Sequence, residues 1–396
     1  MKILCVHGSS KAESILRALG KLKIECEAYP KRLLDTFVNE KEAIALASYC
    51  RAHSITHILS IHMIDTLVAA AGQAGIAYIS LIWDAPYHKL FTEYGRMDHC
   101  WYSTFDRVDA QRFIEAGFPH ILYQPLAVDH DQIQAWDSSG DTPSSREYID
   151  EVCFVGRLYD ENFYDEFCDH LPQTLQNYFL DVFEKAAFRW DGVNRLHGTV
   201  SNELVSYIRE VTPGFQMVNF FDIPDAVYFE NGYLTRKLAN IERICVLNLL
   251  AEHFPVTLYT TSKTAEERLH RVKIMPPICS ERDLHDTFQH SKINLNLSLK
   301  GIEGGTPQRI MDILGAGGFV LTNYCPETAE LFQEDEEIVM FRTPEELVEK
   351  VEYYLKHDRE REQIARNGHQ KVMRCYTYER KVKDLLEWIE GEKVEN

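Results

Sequence analysis

SKINLNLSLKGIEGGTPQRIMDILGAGGFVLTNYCPETAELF, residues 291–332, is the stretch that decides the fold. Its apolar run Ile293–Leu297 has the length of a buried strand, and a glycine-rich turn leads from it into the amphipathic stretch Thr306–Gly315. Thr306 suits the N-cap of a helix that starts there. A second apolar run, Gly318–Thr322, follows. A strand, a glycine-rich turn, a helix and a strand in this order predict one βαβ unit of a parallel sheet.

The turn before this helix has the features of a phosphate site. Gly304 and Gly305 allow a close approach of the backbone, and the free N–H groups at a helix start attract anions. Arg309 lies in the first helical turn, where a guanidinium can donate two hydrogen bonds to a phosphate. Asp312, one turn further, can accept hydrogen bonds from a ribose. Together with Thr306, these residues predict a nucleotide site, although α/β proteins that bind no nucleotide also contain such turns.

The first third of the chain shows the same alternation of apolar runs and amphipathic stretches, which is typical of a Rossmann-like sheet. The predicted strands are Lys2–Val6, Ile24–Ala28, His57–Ile61, Ala77–Ile82 and His120–Tyr123. The predicted helices are Ser14–Leu22, Lys41–His53, Ile64–Gly75 and Arg107–Gly117. We therefore expect an N-terminal Rossmann-like domain over residues 1–128.

A polar segment, residues 129–150, is predicted to be an irregular linker to a second Rossmann-like domain at 151–375. That domain contains a helical insertion at about 161–251, and its predicted strands are Val152–Val155, Pro255–Thr260, Lys292–Leu297, Gly318–Thr322 and Ile338–Phe341. Three helices end the chain, and the last, residues 376–396, is expected to pack back on the first domain. The predicted fold class is α/β, with two Rossmann-like domains facing each other across a ligand cleft.

Composition excludes several classes of protein. The chain has 61 acidic and 42 basic residues and a formal charge of −19, which opposes binding to nucleic acid. Its ten cysteines form no C-x-x-C pair, so neither a zinc site nor a disulfide framework is expected. The first residues lack the apolar core of a signal peptide, and no run is long enough to span a membrane. We therefore expect a cytosolic protein.

Several motifs resemble the bacterial CgeB-type (spore-maturation-protein-like) glycosyltransferases, a branch of the group 1 GT-B enzymes. These motifs are YISLIWDAPYHKLF at 78–91, VCFVGRLYDENFYDEF at 152–167, TPQRIMDILGAGGFVLTNY at 306–324, EELVEKVEYYL at 345–355 and TYERKV at 377–382. They stand in the family's order from about Ile76 to the end of the chain. The resemblance implies a GT-B enzyme that moves a sugar from a nucleotide-sugar donor to an acceptor.

The resemblance also implies which residues hold the donor. The family's helix arginine and helix acid correspond to Arg309 and Asp312. Gly156 and Arg157 follow a predicted strand and resemble the Gly-Arg turn that approaches the donor phosphates in group 1 enzymes. Tyr259 stands at the end of the next strand and is a donor-binding candidate by position.

At one position the chain departs from the broader group 1 pattern. Those enzymes carry a glutamate where this chain has Gly304, and the nearest carboxylate is Glu303, one position away. The role of Glu303 and the choice between a retaining and an inverting reaction therefore stay open.

Asp84 is the main candidate for acid/base chemistry. It follows the predicted strand Ala77–Ile82 and precedes Pro86, so it should stand at the C-terminal edge of the first sheet. A carboxylate there can take the proton of an acceptor hydroxyl while the sugar–phosphate bond breaks through an oxocarbenium-like state. His7, after the first strand, and His88 are further candidates. The alternative for each of these residues is a structural role in its own loop.

Two other functions share this architecture, namely a nucleotide-sugar epimerase and a non-catalytic scaffold that binds sugar nucleotides. The only Asp-x-Asp sequence, residues 129–131, falls in the predicted linker, so no metal site is expected. A helix dipole and arginines can offset the charge of a leaving diphosphate instead. The expected donor is a UDP-sugar, with no cofactor, and the expected acceptor is a glycan or a protein. A homodimer contact through the helical insertion is an alternative to simple core packing.

Overall fold

The computed structural model of the chain describes residues 1–6, 11–29, 38–139 and 147–395, which divide into two units. The first unit comprises residues 1–130, 220–222 and 374–396, and the second comprises 131–219 and 223–373. Each unit contains a parallel sheet of six strands with helices, which confirms the predicted α/β fold class. Within the described ranges, no helix is both long enough and apolar enough to cross a membrane.

The first sheet has the strand order β2-β1-β3-β4-β5-β6. Its strands are β1 (Lys2–Val6), β2 (Glu25–Tyr29), β3 (His57–Ile61), β4 (Ala77–Ile82), β5 (Cys100–Thr104) and β6 (Ile121–Tyr123). Its helices are α1 (Lys11–Lys21), α2 (Glu40–Ala52), α3 (Asp65–Ala74) and α4 (Arg107–Glu115). The sequence did not predict β5, because this short strand, although fully buried, ends in the two polar residues Ser103 and Thr104.

Apolar side chains cover both faces of the first sheet. Leu46 of α2 and Leu67 of α3 are buried on one face. On the other face, α1 packs beside the C-terminal helix α16 (Tyr378–Glu395), whose Leu385 and Ile389 are buried against Ile3 of β1 and its neighbours. Each such buried aliphatic side chain contributes about 1.5–3 kcal/mol. The last helix is therefore an integral part of the first unit.

Helix α16 also buries a charged group. The Lys381 side chain donates to the carbonyl oxygens of Gln124 and Pro125, at 3.2 and 3.1 Å, and lies 3.4 Å from Ser103 Oγ. These three partners are neutral. Burial therefore lowers the pKa of Lys381 to about 7, from an ordinary value of 10.5.

Replacing Lys381 with Met should change how stability depends on pH. The pKa of Lys381 is lower in the folded chain than in the unfolded chain. The unfolded chain therefore binds more protons than the folded chain between about pH 7 and pH 10.5. The free energy of unfolding of the wild type should rise through this window, by up to about 5 kcal/mol from this group, and Lys381→Met should lack this rise. Urea titrations at about pH 7 and about pH 9.5 measure the difference. The exposed Lys383→Met is the control, and equal pH dependence in Lys381→Met and wild type would contradict the prediction.

The second sheet has the strand order β12-β11-β10-β7-β8-β9. Its strands are β7 (Asp150–Val155), β8 (Val256–Tyr259), β9 (Val272–Met275), β10 (Ser291–Asn296), β11 (Val320–Asn323) and β12 (Val339–Phe341). Its shorter helices are α10 (Ala265–Arg268), α11 (Glu281–Gln289), α12 (Gln308–Gly315) and α13 (Pro326–Leu331), followed by α14 (Pro344–Lys356) and α15 (Asp358–Cys375). The sequence did not predict β9, a four-residue edge strand with an exposed lysine.

The segment predicted to be an irregular linker is partly helical. Helix α5 (His130–Ser139) occupies much of it, and residues 140–146 lie outside the described residues. Asp137 of α5 contacts two residues of α11. Its Oδ1 lies 3.1 Å from His285 Nε2 and accepts a hydrogen bond from Gln289 Nε2 at 2.8 Å. These hydrogen bonds fix a helix that composition alone did not indicate.

The helical insertion, residues 161–251, contains no strand, and the structure describes all of it. Its helices are α6 (Gln173–Ala186), α7 (Asn202–Val211), α8 (Asp225–Phe229) and α9 (Thr235–His253), with a π-helical segment at Glu230–Leu234. Its aromatic residues form a core of their own, in which Phe167 lies 4.5 Å from Phe215 and Phe229 lies 5.0 Å from Tyr233 between ring centroids. The insertion is therefore a folded element with its own core.

Candidate active site

In the second unit, strands β11, β10 and β7 lie side by side and end at the same edge of the sheet. The carboxyl ends of parallel strands are the usual place of a ligand in α/β folds. The loop from β10 to α12 crosses this edge and contains the predicted Gly304-Gly305 turn, in which both glycines are buried. Gly305 O accepts a hydrogen bond from Cys325 Sγ at 3.6 Å, so the turn is held in place from the next loop.

Helix α12 begins without a capping side chain. Its N-cap is Pro307, which makes no side-chain hydrogen bond. The prediction that Thr306 caps this helix is wrong, because its buried hydroxyl is hydrogen-bonded to Thr328 Oγ1 at 3.0 Å, in α13. The N-cap residue of α12 therefore contributes no capping side chain, and the N-terminus of a helix is suited to an anion.

Arg309, in the first turn of α12, has a buried donor without an acceptor. Its Nη1 makes no hydrogen bond to any residue that the structure describes, and it lies 3.9 Å from Asp312 Oδ2. The guanidinium lies over the ring of Phe288 at 5.4 Å, and the side chain is 31% exposed. Asp312 Oδ1 accepts from Gln308 Nε2 at 2.9 Å. Because buried N–H groups rarely lack an acceptor, this atom marks a place for one, such as a phosphate oxygen.

A second guanidinium lies at the same sheet edge, and the sequence did not indicate it. Arg243 of α9 donates to the carbonyl oxygen of Arg157 at 2.5 Å and to that of Leu297 at 2.6 Å. It is buried between the rings of Phe154 and Tyr159, at 5.3 and 4.7 Å from their centroids. Burial lowers its pKa from the ordinary value. Arg243 thus places positive charge where β7 and β10 end.

Three other residues of this unit were predicted to bind the nucleotide-sugar donor, and all of them lie at this edge of the sheet, namely Gly156, Arg157 and Tyr259. Gly156 follows β7 directly, and a side chain there would crowd the Phe154 ring at 3.2 Å. The Arg157 side chain is exposed, while its carbonyl is held by Arg243. The Tyr259 hydroxyl donates to Asp150 Oδ2 at 2.9 Å, at the start of β7, and burial raises the pKa of this tyrosine. The hydroxyl proton of Tyr259 is therefore engaged by Asp150 and does not serve a bound nucleotide sugar.

Glu303 lies just before the glycine turn and is paired with the helical insertion. Its Oε2 lies 2.8 Å from Nε2 of His197, a residue of the loop between α6 and α7. His197 Nδ1 lies 3.9 Å from Glu230 Oε2 in the π-helical segment. The sequence singled out Glu303 but not its partners, which are distant along the chain.

In the first unit, Asp84 is the second residue after β4, at the C-terminal edge of the sheet as predicted, and its side chain is 78% exposed. Its Oδ2 lies 3.4 Å from Nε2 of His62, the residue that follows β3. Burial lowers the pKa of His62, and the charge of Asp84 acts in the opposite direction. His62 is therefore a second candidate for acid/base chemistry, which the sequence did not indicate because the pair forms only when β3 and β4 align.

The backbone of His62 is held in an uncommon conformation. Its φ is 58°, in the left-handed region, which is costly for a residue other than glycine. The His62 N–H donates to Leu81 O at 2.8 Å, and Ser60 Oγ donates to His62 O at 2.7 Å. The Tyr87 ring stacks on the imidazole at 5.3 Å, and the Tyr87 hydroxyl accepts the Met63 N–H at 3.0 Å. These contacts fix the loop after β3 to the loop that carries Asp84.

The remaining candidates are less informative. His7 lies outside the described residues. Burial, reinforced by the charge of Arg112, lowers the pKa of His88 to about 4. Asp129, from the Asp-x-Asp sequence, accepts from Arg17 Nε at 2.9 Å.

Comparison with known proteins gives a family for part of the chain. Residues 245–387 match the family model described as glycosyl transferase-like. No curated protein sequence matches the chain.

Solved structures resemble the chain over nearly its whole length. The Anabaena protein Alr3699/HepE in complex with UDP-glucose has a TM-score of 0.52 and 12% identity, over 99% of this chain and 100% of that one. A glycosyltransferase from Rickettsia africae has a TM-score of 0.51 and 9% identity, over 98% of both chains. A sucrose-phosphate synthase from Thermosynechococcus elongatus has a TM-score of 0.51 and 8% identity, over 99% and 100%. At these identities the likeness concerns the fold. The chain therefore has the GT-B fold, and its residues 245–387 are similar to the glycosyl transferase-like family.

Proposed function

We propose that the chain is a glycosyltransferase of the CgeB type that transfers a sugar from a UDP-sugar to a hydroxyl group of a glycan or protein in the cytosol. The observation that carries this proposal is the buried Nη1 of Arg309, which has no hydrogen-bond acceptor among the described residues and lies in the first turn of α12. A guanidinium and a helix N-terminus together suit the diphosphate of a nucleotide sugar. The glycosyl transferase-like match over residues 245–387 and the UDP-glucose bound by HepE support the choice of reaction and donor.

In the proposed reaction, the acceptor oxygen bonds to the anomeric carbon of the sugar, and the bond from that carbon to the diphosphate oxygen breaks. The acceptor proton passes to a base, and UDP leaves with the electron pair of the broken bond. Arg309 and the first N–H groups of α12 stabilise the charge that develops on the leaving oxygen. The buried positive charge of Arg243 adds to this stabilisation of the leaving oxygen. We propose that these groups take the place of a metal ion.

The base in this proposal is Asp84. Its exposed carboxylate is open to an acceptor hydroxyl, and His62 lies behind it at 3.4 Å. Because burial keeps His62 neutral near pH 7, its ring can donate one N–H to Asp84 and hold the carboxylate in a fixed orientation. His62 would then be a positioning residue, and Asp84 the group that takes the proton.

A donor panel tests the proposed function. We expect UDP-sugars to raise the melting temperature more than GDP-, ADP- or dTDP-sugars, because bound ligand stabilises the folded state. With a mixture of glycan acceptors, we expect release of UDP together with a glycosylated product. Isomerisation of the donor without an acceptor would show an epimerase instead, and tight binding without turnover would show a scaffold. Either of these results contradicts the proposal.

A further inference from the structure

The loop that carries Asp84 is held from behind by a buried carboxylate. Asp109, in the first turn of α4, accepts the N–H of Tyr87 through its Oδ2 at 3.0 Å. Both residues are buried, so water does not compete for this hydrogen bond. Only two residues separate Asp84 from Tyr87 along the chain. An acceptor that fixes the backbone of Tyr87 therefore restricts where the carboxylate of Asp84 can lie.

Tyr87 connects Asp109 to both members of the Asp84–His62 pair. The Tyr87 ring stacks on the His62 imidazole with 5.3 Å between ring centroids, and the Tyr87 hydroxyl accepts the Met63 N–H at 3.0 Å. Tyr87 thus orders the loop after β3 through its side chain and the loop after β4 through its backbone. A displacement of Tyr87 should therefore disturb His62 and Asp84 together.

Asp109 is itself fixed by its own helix. Asp106, the N-cap of α4, accepts the N–H groups of Val108 and Asp109 at 2.9 and 3.1 Å. Arg112 Nη1 donates to Asp109 Oδ1 at 3.2 Å. The two carboxylate oxygens of Asp109 therefore have separate partners, one in α4 and one in the loop after β4. Helix α4 is thus the support to which the loop of Asp84 is attached.

The charge of Asp109 changes near neutral pH. Burial and the nearby carboxylate of Asp106 raise the pKa of Asp109 to about 7, whereas Arg112 and the Tyr87 N–H act in the opposite direction. His88, the residue after Tyr87, also interacts with Arg112, and its lowered pKa of about 4 leaves it neutral in this range. A change of pH around 7 therefore changes the charge of Asp109.

This charge determines how strongly Asp109 holds the loop. A hydrogen bond to an ionised carboxylate is shorter and roughly twice as strong as one between neutral groups. When Asp109 binds a proton, its hydrogen bond with the Tyr87 N–H weakens and its ion pair with Arg112 is lost. The loop then has more freedom, and Asp84 spends less time in the orientation that transfer requires.

We propose that Asp109 is a positioning residue for the transfer reaction, because it fixes Tyr87 and, through Tyr87, the Asp84–His62 pair. This inference rests on the proposed function, in which Asp84 takes the proton of the acceptor. Because Asp109 is buried beneath the loop, it acts through Tyr87 and not by contact with a substrate. Loss of its charge should therefore lower the rate of transfer and leave the affinity for the donor unchanged.

Asp109→Asn tests the proposal, because the amide has the size of the carboxylate but no charge. At about pH 8.5 we expect UDP release from saturating UDP-glucose, with mixed glycan acceptors, to be about 10-fold slower than in wild type, and calorimetric affinity for UDP-glucose to be unchanged. From about pH 6.5 to about pH 8.5 the wild-type rate should rise about threefold as Asp109 loses its proton, and the Asn variant should lack this rise.

The alanine variant separates the hydrogen bond from the charge. The amide oxygen of Asp109→Asn can still accept the Tyr87 N–H, whereas Asp109→Ala removes both oxygens and should be slower by about another 10-fold. Glu115→Gln changes an exposed carboxylate of the same helix that is hydrogen-bonded to Gln111 at 2.9 Å. This variant is the matched control and should keep the wild-type rate and pH profile.

Arg112→Ala gives a second test that does not depend on the folding of the Asp109 variants. The positive charge of Arg112 favours the ionised form of Asp109, so its removal should raise the pKa of Asp109 and move the rise in rate to higher pH. The N–H signal of Tyr87 in protein labelled with ¹⁵N-tyrosine reports the contact directly. It should shift with a midpoint of about pH 7 in wild type and at higher pH in Arg112→Ala.

The outcomes separate this inference from the proposed function. An Asp109→Asn variant with the wild-type rate and pH profile would overturn the inference, and so would a loss of rate matched by an equal loss of UDP-glucose affinity. An unchanged pH profile in Arg112→Ala would overturn it as well. In these cases transfer by the wild type would still stand. Wild-type protein that binds UDP-glucose but transfers no sugar would instead contradict the proposed function and, with it, this inference.

Discussion

Replacing Arg309 with alanine should weaken binding of a UDP-sugar by about 100-fold or more. A guanidinium that donates two charge-assisted hydrogen bonds to a diphosphate contributes roughly 3 kcal/mol, and the Ala variant loses both. The fold should persist, because the side chain is partly exposed and its Nη1 has no hydrogen bond within the described residues to lose. Calorimetric titration with UDP-glucose measures the affinity, and circular dichroism checks the fold.

Arg366→Ala is the matched control for this variant. Arg366 is also a helical arginine of the second unit, 56% exposed, and its loss removes only surface contacts, namely an ion pair with Glu362 at 3.7 Å and a hydrogen bond to Gln363 Oε1 at 3.0 Å. We expect wild-type affinity in this control. Unchanged donor affinity in Arg309→Ala would contradict the assignment of the diphosphate site to the start of α12.

Asp84→Asn should lower kcat by about 10²- to 10⁴-fold while the affinity for the donor stays the same. The amide has the shape of the carboxylate but cannot take the acceptor proton, and loss of a general base has this magnitude. The carboxylate is mostly exposed, so the substitution should hardly affect stability. Steady-state assays of UDP release, together with donor titrations, separate the two effects.

Asp98→Asn, an exposed aspartate of the same unit, serves as the control for Asp84→Asn and should have wild-type kcat. If Asp84→Asn turned over donor and acceptor at the wild-type rate, Asp84 could not be the base. A parallel loss of donor affinity would instead indicate that Asp84 helps to hold the donor.

The fold was largely predictable because its strands are apolar runs that parallel sheets bury on both faces. Strands β1, β3 and β4 have the predicted bounds. The two strands that the sequence missed differ from this pattern. Strand β5 contains Ser103 and Thr104 among its buried residues, and β9 is a four-residue edge strand with an exposed lysine. Helix α5 was missed because its Gly-, Ser- and Pro-rich continuation suggested a loop throughout.

The candidate site was predictable only where its residues are neighbours in sequence. Gly304, Gly305 and Arg309 belong to one strand–turn–helix unit, whose spacing alone points to an anion. Arg243 and His197 reach the same region from the helical insertion, and nothing in their local sequence indicates this. The Thr306 prediction failed for a related reason, since its hydroxyl has a partner in α13 that only tertiary packing supplies.

A crystal structure with a bound UDP-sugar would show where the diphosphate lies. We expect a diphosphate oxygen within hydrogen-bonding distance of Arg309 Nη1 and of the first N–H groups of α12. A diphosphate bound elsewhere, with Arg309 Nη1 still without an acceptor or hydrogen-bonded to a protein side chain, would contradict it.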